Sequence, residues 1–356
     1  MARTNRTQLV IRSDASTRMG SGHLMRCLAL GQAWKDASGD VVFITACQSE
    51  GLLHRLRDEG FDLHLLSSPY PDRHDWDLTE NVLAAHPDAW VVLDGYHFDE
   101  AYQQMVKRTG HALLVFDDMA LLNHYHADVV LNQNVNSDEL HYSCDSDTRL
   151  LLGSRYVILR SESTAWRGWR REVADRASRL LVTMGGADPD NYTLVVVEAL
   201  QLLQVPGLEA IVVIGAANPH GDVVQAAVVR SRVPIRLIQD ADNMIELMAW
   251  ADLAVSAGGT TCWEMLFMGL PSVVLVVAEN QEGAMARLES GGFIRSMGWY
   301  RDLSASDLAR ELSRLCYDAY SRARMSSAGQ ALVDGLGRER VVAELRSNRE
   351  GGIVAG

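Results

Sequence analysis

The sequence predicts an α/β protein of two doubly wound parallel-sheet domains facing a cleft, and three observations predict it. Short apolar runs alternate with helix-like stretches, the alternation pauses once and starts again, and glycine-rich or acidic turns fall where the apolar runs end. The first series of runs occupies residues 9–11, 41–45, 63–66, 90–93, 113–116 and 129–131. Each run is too short for a helix, and the helix-like segments between them are the crossovers that parallel strands need. Between Tyr156 and Arg179 the pattern lapses into a polar, charged connector that includes Arg160-Ser161-Glu162-Ser163-Thr164-Ala165-Trp166-Arg167. A second series follows at 180–184, 210–214, 235–238, 253–255 and 272–277, and residues 305–346 read as helix with one polar face. The expected domains are 1–157, a connector at 158–178, 179–346, and a flexible tail at 347–356. Two such domains facing each other would set both groups of strand carboxyl ends, with their loops, across one cleft.

Composition narrows the function classes. A chain of 356 residues, 47% hydrophobic and 22% charged, can bury two sizeable cores. Its net charge of −13 argues against a nucleic-acid or anionic-membrane surface while leaving room for a local phosphate site. The segment Met1-Ala2-Arg3-Thr4-Asn5-Arg6-Thr7-Gln8 is polar with no apolar core behind it, and no run is long enough to span a bilayer. A cytoplasmic protein without membrane insertion is therefore expected. The five cysteines, Cys27, Cys47, Cys144, Cys262 and Cys316, are odd in number and scattered, so neither a disulfide framework nor a zinc site is indicated.

In the first half, Gly20-Ser21-Gly22-His23 follows the first apolar run and opens a helix in which Leu24, Cys27, Leu28 and Leu30 recur at helical spacing. Glycines at a strand-to-helix turn let backbone and ligand approach closely, and the free N–H groups of a helix start suit an anion. His23 there is a candidate base, or else a surface residue of the first turn. Asp14 and Ser16 follow the same strand, Asp94-Gly95-Tyr96 ends the run at 90–93, and Asp117-Asp118 ends that at 113–116. Each acid is a helix cap or a site residue when taken singly, but together they line one rim. Asn132-Gln133-Asn134 adds amides suited to a sugar.

In the second half, Gly185-Gly186-Ala187-Asp188-Pro189 and Ser256-Ala257-Gly258-Gly259-Thr260-Thr261 each follow an apolar run and precede a helix. Both aim backbone donors and a helix start at an anion, and Glu264 stands where a carboxylate accepts from ribose hydroxyls. Neither loop has the spacing of an ATP loop or of a dinucleotide fingerprint, so ATP hydrolysis and nicotinamide chemistry are disfavoured. Glu279-Asn280-Gln281 is either a helix cap or a ligand-contact loop. Asp145-Ser146-Asp147, far from any glycine turn, reads as solvated acid, and no metal or other cofactor is expected.

Taken in order, Arg12-Ser13-Asp14-Ala15-Ser16, Gly20-Ser21-Gly22-His23-Leu24-Met25-Arg26, Asp94-Gly95-Tyr96, Gly185-Gly186-Ala187-Asp188, the run from Ser256 to Glu264, and Glu279-Asn280-Gln281 resemble one known family. It is the UDP-2,4-diacetamido-2,4,6-trideoxy-β-L-altropyranose hydrolases of pseudaminic acid biosynthesis, and the similarity spans most of residues 9–300. The resemblance implies the two-domain GT-B fold shared with the N-acetylglucosaminyltransferase that makes lipid II, with UDP held by the C-terminal domain. It implies His23 as the base that activates water, Tyr96 and Asn280 as groups that orient sugar, water or diphosphate, and Glu264 on the ribose. The remaining substrate-contacting positions carried over are Asp14, Gly20, Gly22, Arg26, Asp94, Gly185, Gly186, Asp188, Gly258, Gly259, Thr260, Glu279 and Gln281. The chemistry agrees, because diphosphate is already a good leaving group and an inverting hydrolysis then needs one base rather than a pair of carboxyls.

The expectation is an enzyme that hydrolyses a UDP-linked diacetamido-trideoxy sugar to free sugar and UDP without a metal. A GT-B glycosyltransferase with a UDP-sugar donor is the alternative, and a non-catalytic sugar-nucleotide-binding protein is the third. The sugar isomer, the base and the oligomeric state stay open.

Overall fold

The first sheet has seven strands, all parallel, in the order β3-β2-β1-β4-β5-β6-β7. They are β1 (Gln8–Ser13), β2 (Asp40–Thr45), β3 (Asp62–Leu65), β4 (Trp90–Asp94), β5 (Ala112–Phe116), β6 (Val129–Asn132) and β7 (Arg149–Leu152). The early crossovers are α1 (Gly22–Asp36), α2 (Glu50–Asp58), α3 (Arg73–Ala85) and α4 (Glu100–Arg108). This computed structural model describes residues 7–16, 19–215, 218–241 and 243–350; the expectations for residues 1–6 and for the end of the tail, 351–356, lie outside the described residues.

The strands are nearly continuous apolar runs because both faces of the sheet are covered. Leu9, Ile11, Trp90, Val92, Leu114 and Leu131 pack into one layer with Leu24 and Leu28 of α1. Their alternating neighbours Val10, Val91, Leu93, Leu113, Val115 and Val130 pack into the opposite layer with Tyr102 and Val106 of α4.

The second sheet has six parallel strands in the order β10-β9-β8-β11-β12-β13. These are β8 (Arg179–Thr183), β9 (Glu209–Ile214), β10 (Ile235–Gln239), β11 (Leu253–Ala257), β12 (Ser272–Val276) and β13 (Arg295–Trp299). Their helices are α5 (Tyr192–Gln201), α6 (Gly221–Val229), α7 (Met244–Trp250), α8 (Thr261–Phe267), α9 (Glu279–Ser290), α10 (Ala305–Tyr317) and α11 (Ala319–Leu332), and α12 (Gly337–Glu350) follows them in the chain. The chain divides into two compact units, and the second is built from Glu162–Asp334 together with Met19 and Gly20.

Two edges and one helix depart from the sequence pattern. β7 and β13 lie outside the runs read as strands: β13 is broken by Ser296 and Gly298, as an edge strand paired on one side only allows, whereas β7 carries the short run Leu150-Leu151-Leu152. The helical pattern over 305–346 falls with the second series, yet α12 belongs to the first unit, where Val341, Val342 and Leu345 pack beside Leu24, Leu28 and Tyr156. Gly337 is held so tightly against the Val157 backbone that a Cβ would overlap the Val157 carbonyl. Among the described residues no helix is long and apolar enough to cross a membrane. All five cysteines are free thiols.

In each sheet the strand order reverses at one point, between β1 and β4 and between β8 and β11. Outside the carboxyl ends at such a reversal the crossing helices diverge to opposite faces, which leaves a crevice for a ligand.

Candidate active site

At the β1/β4 reversal the turn Gly20-Ser21-Gly22 delivers His23 to the first turn of α1, with Gly20 at φ +77 in open space. One helical turn on, Arg26 lies on the same face, and Asp94 is the last residue of β4. His23 Nδ1 is 2.6 Å from Asp94 Oδ1. Arg26 donates to Asp94 through Nε at 2.7 Å and Nη2 at 2.8 Å, and to Asp118 through Nη1 at 2.8 Å and Nη2 at 3.0 Å. Tyr96 Oη donates to Asp118 at 2.8 Å, Asn134 Nδ2 donates to it at 3.1 Å, and the Tyr96 ring meets the His23 ring edge-on at 4.7 Å. His23, Arg26, Asp94, Asp118 and Asn134 are buried, while Tyr96 is exposed.

This geometry selects the histidine tautomer. Burial alone would raise both aspartates, but the adjacent Arg26 guanidinium, with His23, outweighs it and holds Asp94 well below the ordinary carboxylate range and Asp118 below it. An ionised carboxylate only accepts, so Nδ1 carries the proton toward Asp94 and the neutral ring keeps its lone pair on Nε2. Arg26 Nη2 also lies 3.2 Å from Nδ1, but Nδ1 cannot donate and accept at once, and the 2.6 Å contact to a full charge wins. His23 is thus an oriented imidazole backed by a carboxylate, the arrangement that general-base chemistry would require.

Asp14 is placed beside this group but is committed to structure. Its oxygens accept from Arg12 Nη1 at 2.6 Å, Arg12 Nη2 at 2.8 Å and the Ala46 N–H at 2.6 Å, and His97 Nε2 lies 3.1 Å away. Arg12, wholly buried, also donates from Nε to Asp75 at 3.2 Å, and Asp75 accepts from Tyr102 Oη at 2.7 Å and the Tyr70 N–H at 2.7 Å. Burial opposes ionisation of Asp14, yet His97 and Arg12 hold it well below the usual range. Its carboxylate ties the end of β1 to the end of β2 instead of reaching outward.

At the β8/β11 reversal the structure assembles Gly185, Gly186, Gly258, Gly259 and Thr260, with Glu279, Asn280 and Gln281 at the exit of the adjacent strand β12. Gly185 has φ +90 and nothing near its missing side chain, and Gly259 likewise opens onto space. A Cβ on Gly258 would come 2.7 Å from Met285 Cγ, and one on Gly215 would overlap the Gly186 carbonyl, so both loops lie close to their neighbours. Thr260 is the residue before α8, and Glu264 is buried in its first turn. Gln281 Oε1 accepts from the Val277 N–H at 3.0 Å and fixes the turn into α9. Asp188 is a helix cap: its carboxylate accepts from Tyr192 N–H at 2.8 Å and from Thr193 N–H at 3.0 Å and Oγ1 at 2.6 Å.

The sequence-derived residues therefore fall into two clusters, one at each strand-order reversal. His23, Arg26, Asp94 and Tyr96 join directly, with Gly20 and Gly22 in the turn. Asp118 and Asn134, legible as rim residues, turn out to be partners of that same cluster; Asp14 and Asp188 use their carboxylates internally.

Comparisons with known proteins follow this division. Residues 179–332 match the glycosyltransferase family 28 C-terminal domain. MurG of Acinetobacter baumannii superposes with a TM-score of 0.70 at 14% identity, covering 96% of this chain and 99% of that one. The fold is GT-B. A second GT-B neighbour, HepE of Anabaena in complex with UDP-glucose, gives a TM-score of 0.62 at 14% identity over 96% of this chain and all of that one. In sequence, the chain is 28% identical over 285 residues to an uncharacterized protein of Methanocaldococcus jannaschii, covering 77% of this chain but only 56% of that relative's length. It is 26% identical over 343 residues to the spore coat polysaccharide biosynthesis protein SpsG of Bacillus subtilis, covering 94% and 96%. The family resembled in the ordered motifs is also met: the UDP-2,4-diacetamido-2,4,6-trideoxy-β-L-altropyranose hydrolase of Campylobacter jejuni is 22% identical over 289 residues, covering 80% of this GT-B chain and 97% of the hydrolase.

Proposed function

We propose that this protein is an enzyme acting on nucleotide sugars, and that it hydrolyses a UDP-linked diacetamido-trideoxy sugar to free sugar and UDP in pseudaminic acid or related surface-polysaccharide synthesis. The observation that carries the reading is the 2.6 Å contact between His23 Nδ1 and Asp94, which leaves Nε2 as the basic nitrogen. The named hydrolase and SpsG relatives support the substrate class and the setting.

In the proposed reaction, water oxygen forms a bond to the anomeric carbon, the bond from that carbon to the diphosphate oxygen breaks, and the water proton passes to His23 Nε2. Asp94 stabilises the imidazolium that results, and Arg26 keeps Asp94 ionised. UDP leaves with the electron pair of the broken bond, as one added negative charge on its terminal phosphate. The backbone N–H groups near Gly185, Gly258 and Gly259 take up the charge on its diphosphate, and Glu264 holds the ribose. Tyr96 and Asn280 orient sugar, water or diphosphate.

The test is a phosphorus and proton NMR time course of the full chain with UDP-2,4-diacetamido-2,4,6-trideoxy-β-L-altropyranose, chelator present and acceptor absent. Release of UDP with free sugar supports the reading. The family 28 domain match favours a second reading, transfer of the sugar to an acceptor. Turnover only on adding an acceptor would establish that instead, and binding without turnover under either condition would leave a sugar-nucleotide-binding protein.

A further inference from the structure

Away from the His23 cluster, the segment between β5 and β6 carries two more histidines in an ordered arrangement. Tyr125 forms an isolated parallel bridge with Cys144, through Tyr125 N–H to Ser143 O at 2.8 Å and Asp145 N–H to Tyr125 O at 3.3 Å. In extended chain, residues two apart share a face. With Tyr125 turned into the core, His124 and His126 emerge together on the other side, their ring centroids 4.7 Å apart. Asp145 reaches both: His124 Nε2 is 2.9 Å from its Oδ1, and His126 Nδ1 is 3.3 Å from the same oxygen.

The geometry points to a divalent-metal site formed by His124, His126 and Asp145, of a kind suited to Zn²⁺ or a similar borderline ion. Tetrahedral bonds of about 2.05 Å give donor-to-donor edges of about 3.3 Å, and the two nitrogen-to-carboxylate separations of 2.9 and 3.3 Å already lie near that edge. The three donor atoms sit within 4.8 Å of one another. Behind the ligand atoms, His124 Nδ1 lies 2.9 Å from Ser143 Oγ, which can accept its N–H as for a ligating imidazole, whereas at His126 Nε2 the Gln104 side-chain nitrogen stands 2.9 Å away and the amide must turn its oxygen inward to accept the N–H when Nδ1 binds the ion. The two histidines are half-buried and Asp145 is exposed, so an ion has a way in and solvent supplies the fourth ligand. Two imidazoles and one carboxylate favour zinc, nickel or copper over magnesium or calcium, which prefer oxygen donors.

The site would be a clamp and takes no part in sugar chemistry. It pins residues 124–126 to 143–145, and behind it Tyr125 Oη and Tyr142 Oη both donate to Asp117, at 2.7 and 2.8 Å, next to Asp118 of the His23 cluster. This departs from the expectation of no metal and from the reading of Asp145 as plain solvated acid.

The experiment is a titration of the untagged, chelator-stripped full chain with ZnCl₂ against a chromophoric indicator. One Zn²⁺ per chain is expected, with affinity at least about tenfold weaker in Asp145→Asn and in the double variant His124→Ala/His126→Ala. His54→Ala, which removes an exposed histidine paired only with Asp58, should leave it unchanged. Zn²⁺ should raise the melting temperature of the wild type and not that of the double variant, whose folding the same melt reports. Absence of stoichiometric binding in the wild type, or binding undiminished in the double variant, overturns the site.

Discussion

Asp94→Asn is the substitution that interrogates the His23 cluster most directly. Asp94 accepts four hydrogen bonds, from His23 at 2.6 Å, Arg26 Nε at 2.7 Å, Arg26 Nη2 at 2.8 Å and Cys27 Sγ at 3.4 Å. An asparagine of the same shape keeps one acceptor and turns the other into a donor. If the new amide nitrogen faces His23 and Arg26 Nη2, it opposes a guanidinium donor and pushes the imidazole proton onto Nε2. If it faces Arg26 Nε, it loses the shorter guanidinium bond and leaves a neutral oxygen on His23. Arg26 retains both bonds to Asp118, so the cost should sit toward the lower end of the roughly 3–5 kcal/mol seen when one member of a buried pair is removed. Turnover should fall much further, by about 10²- to 10⁴-fold, because the base loses its tautomer and its counter-charge. The assay is UDP release from the diacetamido UDP-sugar at a temperature where circular dichroism reports the variant folded. Asp94→Asn should add little to a His23→Ala background, since a residue that acts through another has no effect once that partner is gone. Turnover within threefold of wild type, or equal losses in both backgrounds, would refute the dyad.

His23→Ala should lower turnover by two or more orders of magnitude with UDP affinity nearly unchanged, checked by calorimetric UDP titration beside the NMR assay. Asp188→Ala should cost about 1 kcal/mol of stability by urea denaturation through the lost cap of α5, with only a modest change in UDP affinity. Asp14, Asp94 and Asp118 titrate lower in the folded chain than when unfolded, so their stabilisation is complete above pH about 4 and is lost as pH falls toward their folded values. Urea midpoints should therefore drop in acid below that point, and less steeply in Asp94→Asn than in wild type.

Much of this was legible because parallel strands covered on both faces must be apolar throughout, and a ligand crevice must lie at their carboxyl ends. Residues 9–11, 90–93, 180–184 and 253–255 announce the four central strands, and the motifs that end them hold the candidate site. What stayed hidden depends on partners far along the chain. Asp118 looks like any turn acid until Arg26, 92 residues earlier, is brought against it. Asp188 looks like a ligand until the N–H groups of Tyr192 and Thr193 turn back onto it, and Asp14 until Ala46 and Arg12 take its oxygens. β13 escaped because an edge position asks little of sequence, whereas the Leu150-Leu151-Leu152 run of β7 was there to be read.

The seating of α12 has a consequence for the order in which the chain acquires its shape. Apart from Met19 and Gly20 near the start of the chain, the described part of the second unit is the single stretch Glu162–Asp334, and it can close as soon as that stretch exists. The core that includes Leu24 and Leu28 is completed only by Val341, Val342 and Leu345, about three hundred residues later in synthesis. On the ribosome, where domains fold as units while the chain emerges, the part that begins first is finished last, and the layer under α1 stays open to water and to chaperones until α12 emerges.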